Sequence, residues 1–132
     1  MNSLEIVKKA AYNQMGPQAD IDTFLRKLAG WTKKQNNKIL QVGNTVFLLT
    51  LVNPQACQVS ILNADSEPNL IENIKGAVKA LKNEGLKKMT GYANDQKYVQ
   101  MAQKTGLPFK IQQGQGMAQG GAVPAYTFEL DL

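Results

Sequence analysis

Lys38-Ile39-Leu40-Gln41-Val42-Gly43-Asn44-Thr45-Val46-Phe47-Leu48-Leu49-Thr50-Leu51-Val52-Asn53-Pro54-Gln55-Ala56-Cys57-Gln58-Val59-Ser60-Ile61-Leu62-Asn63 is the stretch that decides the fold. Three runs, 38–42, 45–52 and 56–63, are rich in Val, Ile, Leu, Phe and Thr, the residues that suit a pleated, half-buried surface. Gly43-Asn44 separates the first pair and Asn53-Pro54-Gln55 the second. Both separators are turn chemistry, so the three runs predict an antiparallel meander. The middle run is apolar almost throughout, as expected of a strand covered on both faces.

Downstream, Ser66-Glu67-Pro68-Asn69 opens a helix, with Ser66 as N-cap and Pro68 in the first turn. Leu70, Ile71, Ile74, Val78 and Leu81 form its apolar stripe, and Gly85 closes it at C′. A strand is predicted over 86–92. A helix capped by Asn94 or Asp95 follows, carrying Tyr98, Met101 and Ala102 and closed by Gly106. Strands over 109–113 and 125–132 flank a glycine-rich connection, 114–124, which reads as a long hairpin loop. Upstream, Leu4, Val7, Ala11 and Met15 share one face of a helix capped by Ser3 and stopped by Gly16-Pro17. A second helix, about 20–35, starts at Asp20 and carries Ile21, Phe24, Leu25, Leu28 and Trp31 or Thr32. Read together, residues 1–132 form one α+β domain with a mostly antiparallel central sheet flanked by helices, residues 1–18 being an N-terminal helical extension.

Composition narrows the chemistry. The chain has 132 residues with 43% hydrophobic and 19% charged residues, an ordinary globular balance. It has no histidine, which excludes Ser-His and Cys-His nucleophiles and His-ligated metals. Cys57 is the single cysteine, so an internal disulfide and a thiolate metal cage are excluded; core packing is its expected role. The most apolar run, 46–52, falls well short of the roughly 20 residues that span a bilayer, and the first residues lack a secretory pattern. A cytoplasmic or host-cytoplasmic location is expected, with no membrane partner. The net charge of +5 permits contact with nucleic acid or acidic protein surfaces without choosing between them.

The element order resembles the GNAT-type N-acetyltransferase fold from about Asp20 to Leu132. The residues carrying the resemblance are Gly85-Leu86-Lys87-Lys88-Met89-Thr90-Gly91-Tyr92, the helix from Asn94 to Gly106, and the last strand, Tyr126-Thr127-Phe128-Glu129-Leu130-Asp131-Leu132. In working members of that family a glycine-rich turn after the central strand binds the pyrophosphate of acetyl-CoA through helix N-terminal amides. The matching stretch here, Ala64-Asp65-Ser66-Glu67-Pro68-Asn69-Leu70, has no glycine. Pro68 removes a donor, and Asp65 and Glu67 bring negative charge where phosphates would lie. The position that is often a tyrosine acting as general acid is Ala102; Tyr98 lies one turn earlier on the same side.

The chain is also similar to reduced, phage-encoded versions of the fold that act in virion assembly or structure. That similarity implies a non-catalytic structural protein with no cofactor and no catalytic residue, working through contacts with other protein subunits. Gly114, Gln115, Gly116, Met117 and Gln119 are its candidate partner contacts. The alternative is an N-acetyltransferase using acetyl-CoA, with Ser66, Asn69, Leu70 and Tyr98 as cofactor-binding residues. A third reading, a nucleic-acid-binding module, would use Lys8, Lys9, Arg26, Lys27, Lys33, Lys34 and Lys38 with Trp31 as a stacking platform. A solvated helix face around one core tryptophan explains the same residues and is preferred.

Overall fold

The computed structural model describes residues 1–16, 20–93, 95–118 and 121–132. Its elements are α1 (Ser3–Met15), α2 (Ile21–Thr32), β1 (Asn37–Val42), β2 (Thr45–Asn53), β3 (Ala56–Asn63), α3 (Glu67–Asn83), β4 (Lys88–Ala93), α4 (Gln96–Lys104), β5 (Lys110–Ala118) and β6 (Gly121–Asp131). One six-stranded sheet runs in the order β1-β2-β3-β4-β6-β5. β1, β2 and β3 form the expected meander, with Val46 opposite Leu62 and Phe47 opposite Ile61. β3 and β4 are parallel, which requires a crossover, and α3 supplies it. The α+β architecture predicted from the sequence is therefore the one observed.

The alternation along β2 sorts the helices. Val46 and Leu62 face α1, whose Ile6, Val7 and Ala10 are buried against them, with Phe24, Leu25 and Leu28 of α2 alongside. Phe47, Leu49, Cys57, Val59, Met89 and Leu130 face the other way and pack against Ala77, Val78 and Leu81 of α3. Ala102 of α4 joins Tyr126 and Phe128 farther along that side. β2 is thus covered on both faces over its first half, as its apolar sequence implied.

Several termini follow local chemistry. Asp20 caps α2 by accepting from the Thr23 N–H at 3.0 Å, and Asp95 caps α4. At the end of α3, Gly85 takes a positive φ of 90°. Its N–H donates to the Lys82 carbonyl and that of Leu86 to the Leu81 carbonyl, a Schellman closure with Leu81 and Leu86 both buried.

Other expectations need correction. The cap of α1 is Asn2, whose side chain accepts from the Glu5 N–H, so Ser3 is the first helical residue. The buried face of α1 is Ile6, Val7, Ala10 and Ala11, and Leu4 is exposed. α2 ends at Thr32, because the buried Asn37 amide donates to the Trp31 carbonyl at 2.8 Å and draws the chain into β1. The glycine-rich stretch is mostly strand: β5 reaches Ala118 and β6 starts at Gly121, in continuous register from Lys110–Glu129 to Ala118–Gly121. Its backbone pairing overrides the weak strand propensity of Gln and Gly. Pro17, Asn94 and Gln119 lie outside the described residues.

Candidate active site

β3 and β4 pair only from Ala56–Lys88 to Val59–Gly91. Beyond that point each strand continues, β3 to Asn63 and β4 to Ala93, without the other beside it. β3 stays on β2, and β4 stays on β6. The sheet therefore splits into two halves, and a cavity of about 790 Å³ occupies the split. Its floor includes Phe47, Val59, Met89 and Phe128; one wall carries Ser60, Ile61, Asp65, Ser66, Glu67 and Leu70, and the other Tyr92, Lys97, Tyr98 and Ala102.

The expected site residues Ser66, Leu70 and Tyr98 are brought together on this cavity, whereas Asn69 is exposed and outside its lining. Asn13, which sequence reasoning missed, and Lys9, read there only as part of a basic face, line the cavity from α1. No local signal marks them, since only the docking of α1 brings them there. Tyr92 was also missed. Its hydroxyl passes so close to Gly116 that a Cβ there would sit 2.6 Å from it. Gly116 thus makes room for a cavity-wall phenol, and Gly114, Gln115 and Met117 are register positions of β5 rather than loop residues.

The first turn of α3 forms part of one wall. Ser66 has the extended backbone of an N-cap, but its hydroxyl makes no capping bond. The first helical N–H groups have no intrahelical partner by construction, and Pro68, in this first turn, has none to offer. That leaves the amides of Glu67 and Asn69 as donors.

The two carboxylates flanking this turn each have partners of their own. Asp65 Oδ2 accepts from the Asn44 N–H at 2.9 Å and from the Asn73 amide at 2.7 Å. Its Oδ1 accepts from the Asn44 side chain at 3.3 Å. These bonds, led by the one from the Asn44 backbone, hold the Asp65 carboxyl below its ordinary value of 3.8, and Lys9 adds to the effect. Glu67 pairs with Lys104 at 3.1 Å. Each acid is therefore matched by a partner remote in sequence, and Lys9 and Lys97 add positive charge to the lining.

α4 presents Tyr98 to the cavity, half-buried against Ala102, Tyr126 and Phe128, with Lys97 Nζ 5.2 Å from its ring centroid. Ala102 is buried and carries no polar group. Among the described residues no cluster of acids and Cys57 could hold a metal ion, and no helix is long and apolar enough to cross a membrane. Cys57 is buried, and desolvation pushes its thiol above the ordinary value.

This fold is the GNAT-type fold, shared with solved N-acetyltransferase structures. A spermidine N-acetyltransferase variant from Vibrio cholerae superposes with a TM-score of 0.71 at 11% identity, over 97% of this chain and 89% of that one. A GNAT-family acetyltransferase from Streptococcus pneumoniae gives 0.63 at 12% identity, over 98% and 91%. A GNAT-family acetyltransferase from Elizabethkingia anophelis, solved with acetyl-CoA bound, gives 0.53 at 12% identity, over 81% and 82%. At these identities the likeness is one of fold. No protein-family model and no curated protein sequence matches the chain.

The comparisons correct the expectation of a non-catalytic assembly protein of a virion. The Vibrio cholerae and Streptococcus pneumoniae structures, which share the fold over nearly the whole chain, are acetyltransferases, and neither points to a viral component. In the structure both carboxylates line the cavity with partners of their own, Asp65 accepting from Asn44 and Asn73 and Glu67 pairing with Lys104.

Proposed function

We propose that this chain is an N-acetyltransferase that draws its acetyl group from acetyl-CoA bound in the split between β3 and β4. The observation that carries the reading is the end of β3–β4 pairing at Val59–Gly91, which opens the cavity beside the uncapped first turn of α3. The amides of Glu67 and Asn69, with the Ser66 hydroxyl, would donate to the diphosphate. Leu70 would pack against the apolar part of the pantetheine arm. The unpaired edge of Ser60 and Ile61 offers backbone groups to its amides.

The cofactor supplies an acetyl thioester. A primary amine attacks its carbonyl carbon, a C–N bond forms, and the C–S bond breaks. Tyr98, which lines the cavity, would give its phenolic proton to the departing thiolate and be recharged by the proton the amine sheds. The products are an acetamide and the free thiol.

Calorimetric titration with acetyl-CoA tests the binding half, and thiol release with a polyamine, an amino sugar and a lysine peptide as acceptors tests the chemistry. No heat at about 1 mM acetyl-CoA, where even weak complexes of about 4 kcal/mol register, would reject the reading. Tyr98→Phe is expected to lower turnover by roughly 10²-fold with little change in cofactor affinity.

A further inference from the structure

The wall of the cavity places a carboxylate, Asp65, immediately before the turn that must face an anion. Asp65 and Lys9, whose charge also acts on it, both line the cavity, but the hydrogen bonds of the carboxylate run to other residues. Both oxygens are taken by Asn44 and Asn73, and neither of these residues lines the cavity.

The clamp is itself closely supported. The same Asn73 amide also donates to Thr45 Oγ1 at 2.9 Å, and the fully buried Thr45 hydroxyl donates to Asn63 Oδ1 at 2.7 Å. Asn63 Oδ1 accepts from the Asp65 N–H at 3.0 Å, and its amide donates to the Asp65 carbonyl at 2.8 Å. The Ala64 N–H reaches the Asn44 carbonyl at 2.9 Å. Gly43, at φ 58°, lies so close to Asn73 that a Cβ would come within 2.7 Å of its amide oxygen. Among the described residues no buried side-chain polar atom is left without a partner. A fully satisfied network of this kind has one arrangement.

We propose that the Asn44–Asp65–Asn73 clamp is a charge-turning device: it holds the Asp65 carboxylate away from the cavity and fixes the first turn of α3, so that this glycine-free wall can accept an anionic ligand. The inference rests on the acetyl-CoA reading of the cavity and assigns Asn73 as a positioning residue.

The test measures the affinity of acetyl-CoA and of acetyl-pantetheine, which lacks the diphosphate, for the unaltered chain, Asn73→Ala and the double variant Asn73→Ala/Asp65→Asn. Freeing the carboxylate toward a phosphate should weaken acetyl-CoA roughly tenfold in Asn73→Ala, leave acetyl-pantetheine within about twofold, and be reversed in the double variant once the charge is gone. Unchanged acetyl-CoA affinity in Asn73→Ala overturns the proposal. So does equal loss of both ligands, or loss that the double variant does not restore, because then Asn73 only supports the fold. If the unaltered chain binds acetyl-pantetheine and acetyl-CoA equally, the wall does not read the diphosphate and the clamp has no such role. Absence of any binding by the unaltered chain rejects the acetyl-CoA reading itself, and the clamp with it.

Discussion

Truncating Ile6 to alanine tests how the first helix meets the sheet. Ile6 is 0% exposed and packs with Val7, Ala10, Val46 and Leu62, whereas Leu4, on the stripe expected from the sequence, is 53% exposed. Ile6→Ala deletes the branched end of a fully buried side chain. At about 0.8 kcal/mol per carbon the transfer loss is about 2.4 kcal/mol, and incomplete collapse of the cavity adds about 1 kcal/mol. The expected destabilisation is therefore about 3 kcal/mol, or a fall in Tm of roughly 10–15 °C for a domain of this size. Leu4→Ala, which exchanges one good helix former for another at an exposed site, should stay within about 0.5 kcal/mol. Urea unfolding followed by circular dichroism measures both. Comparable losses in the two variants, or a loss under about 1 kcal/mol for Ile6→Ala, would refute the docking geometry of α1.

Two further outcomes are expected. Asp20 and Asp65 both titrate below 3.8 in the folded chain, Asp20 mainly through its bonds from Thr23 and Asp65 mainly through the Asn44 N–H. A depressed carboxyl contributes stability that is whole above 3.8 and is lost as pH falls through the folded value. The stability gap between the unaltered chain and Asp65→Asn should shrink as pH drops from about 7 to about 3, and a gap that is constant in urea titrations over that range would contradict this. Cys57, buried with its thiol raised, should resist alkylation in the native state and react promptly in urea; mass spectrometry showing rapid native-state labelling would place it at the surface instead.

Local chemistry carried much of the architecture. Gly43-Asn44 and Asn53-Pro54-Gln55 marked the turns of the meander, and β3 runs over 56–63 as read. Gly85 and Gly106 closed α3 and α4, each with a positive φ that a side chain would resist. Where several residues on one helix could form the buried stripe, as in α1, periodicity left the rotation open, and contact with Val46 and Leu62 settled it. The length of β5 was hidden because Gln112 to Gly116 have little strand preference of their own; β6 imposes it.

The site divides along the same line. The sequence by itself determined that the turn before α3 holds a proline, two acids and no glycine, and that histidine and disulfide chemistry are absent, because these are properties of composition and of neighbouring residues. Which partners those acids meet was decided only by tertiary structure. Glu67 meets Lys104, 37 residues away, and Asp65 meets Asn44, 21 residues away. The cavity also arises only in three dimensions, when two strands from opposite ends of a helical crossover stop pairing at Val59 and Gly91. Electrostatics and cavities depend on distances in space, and a chain records those only after its remote segments have packed together.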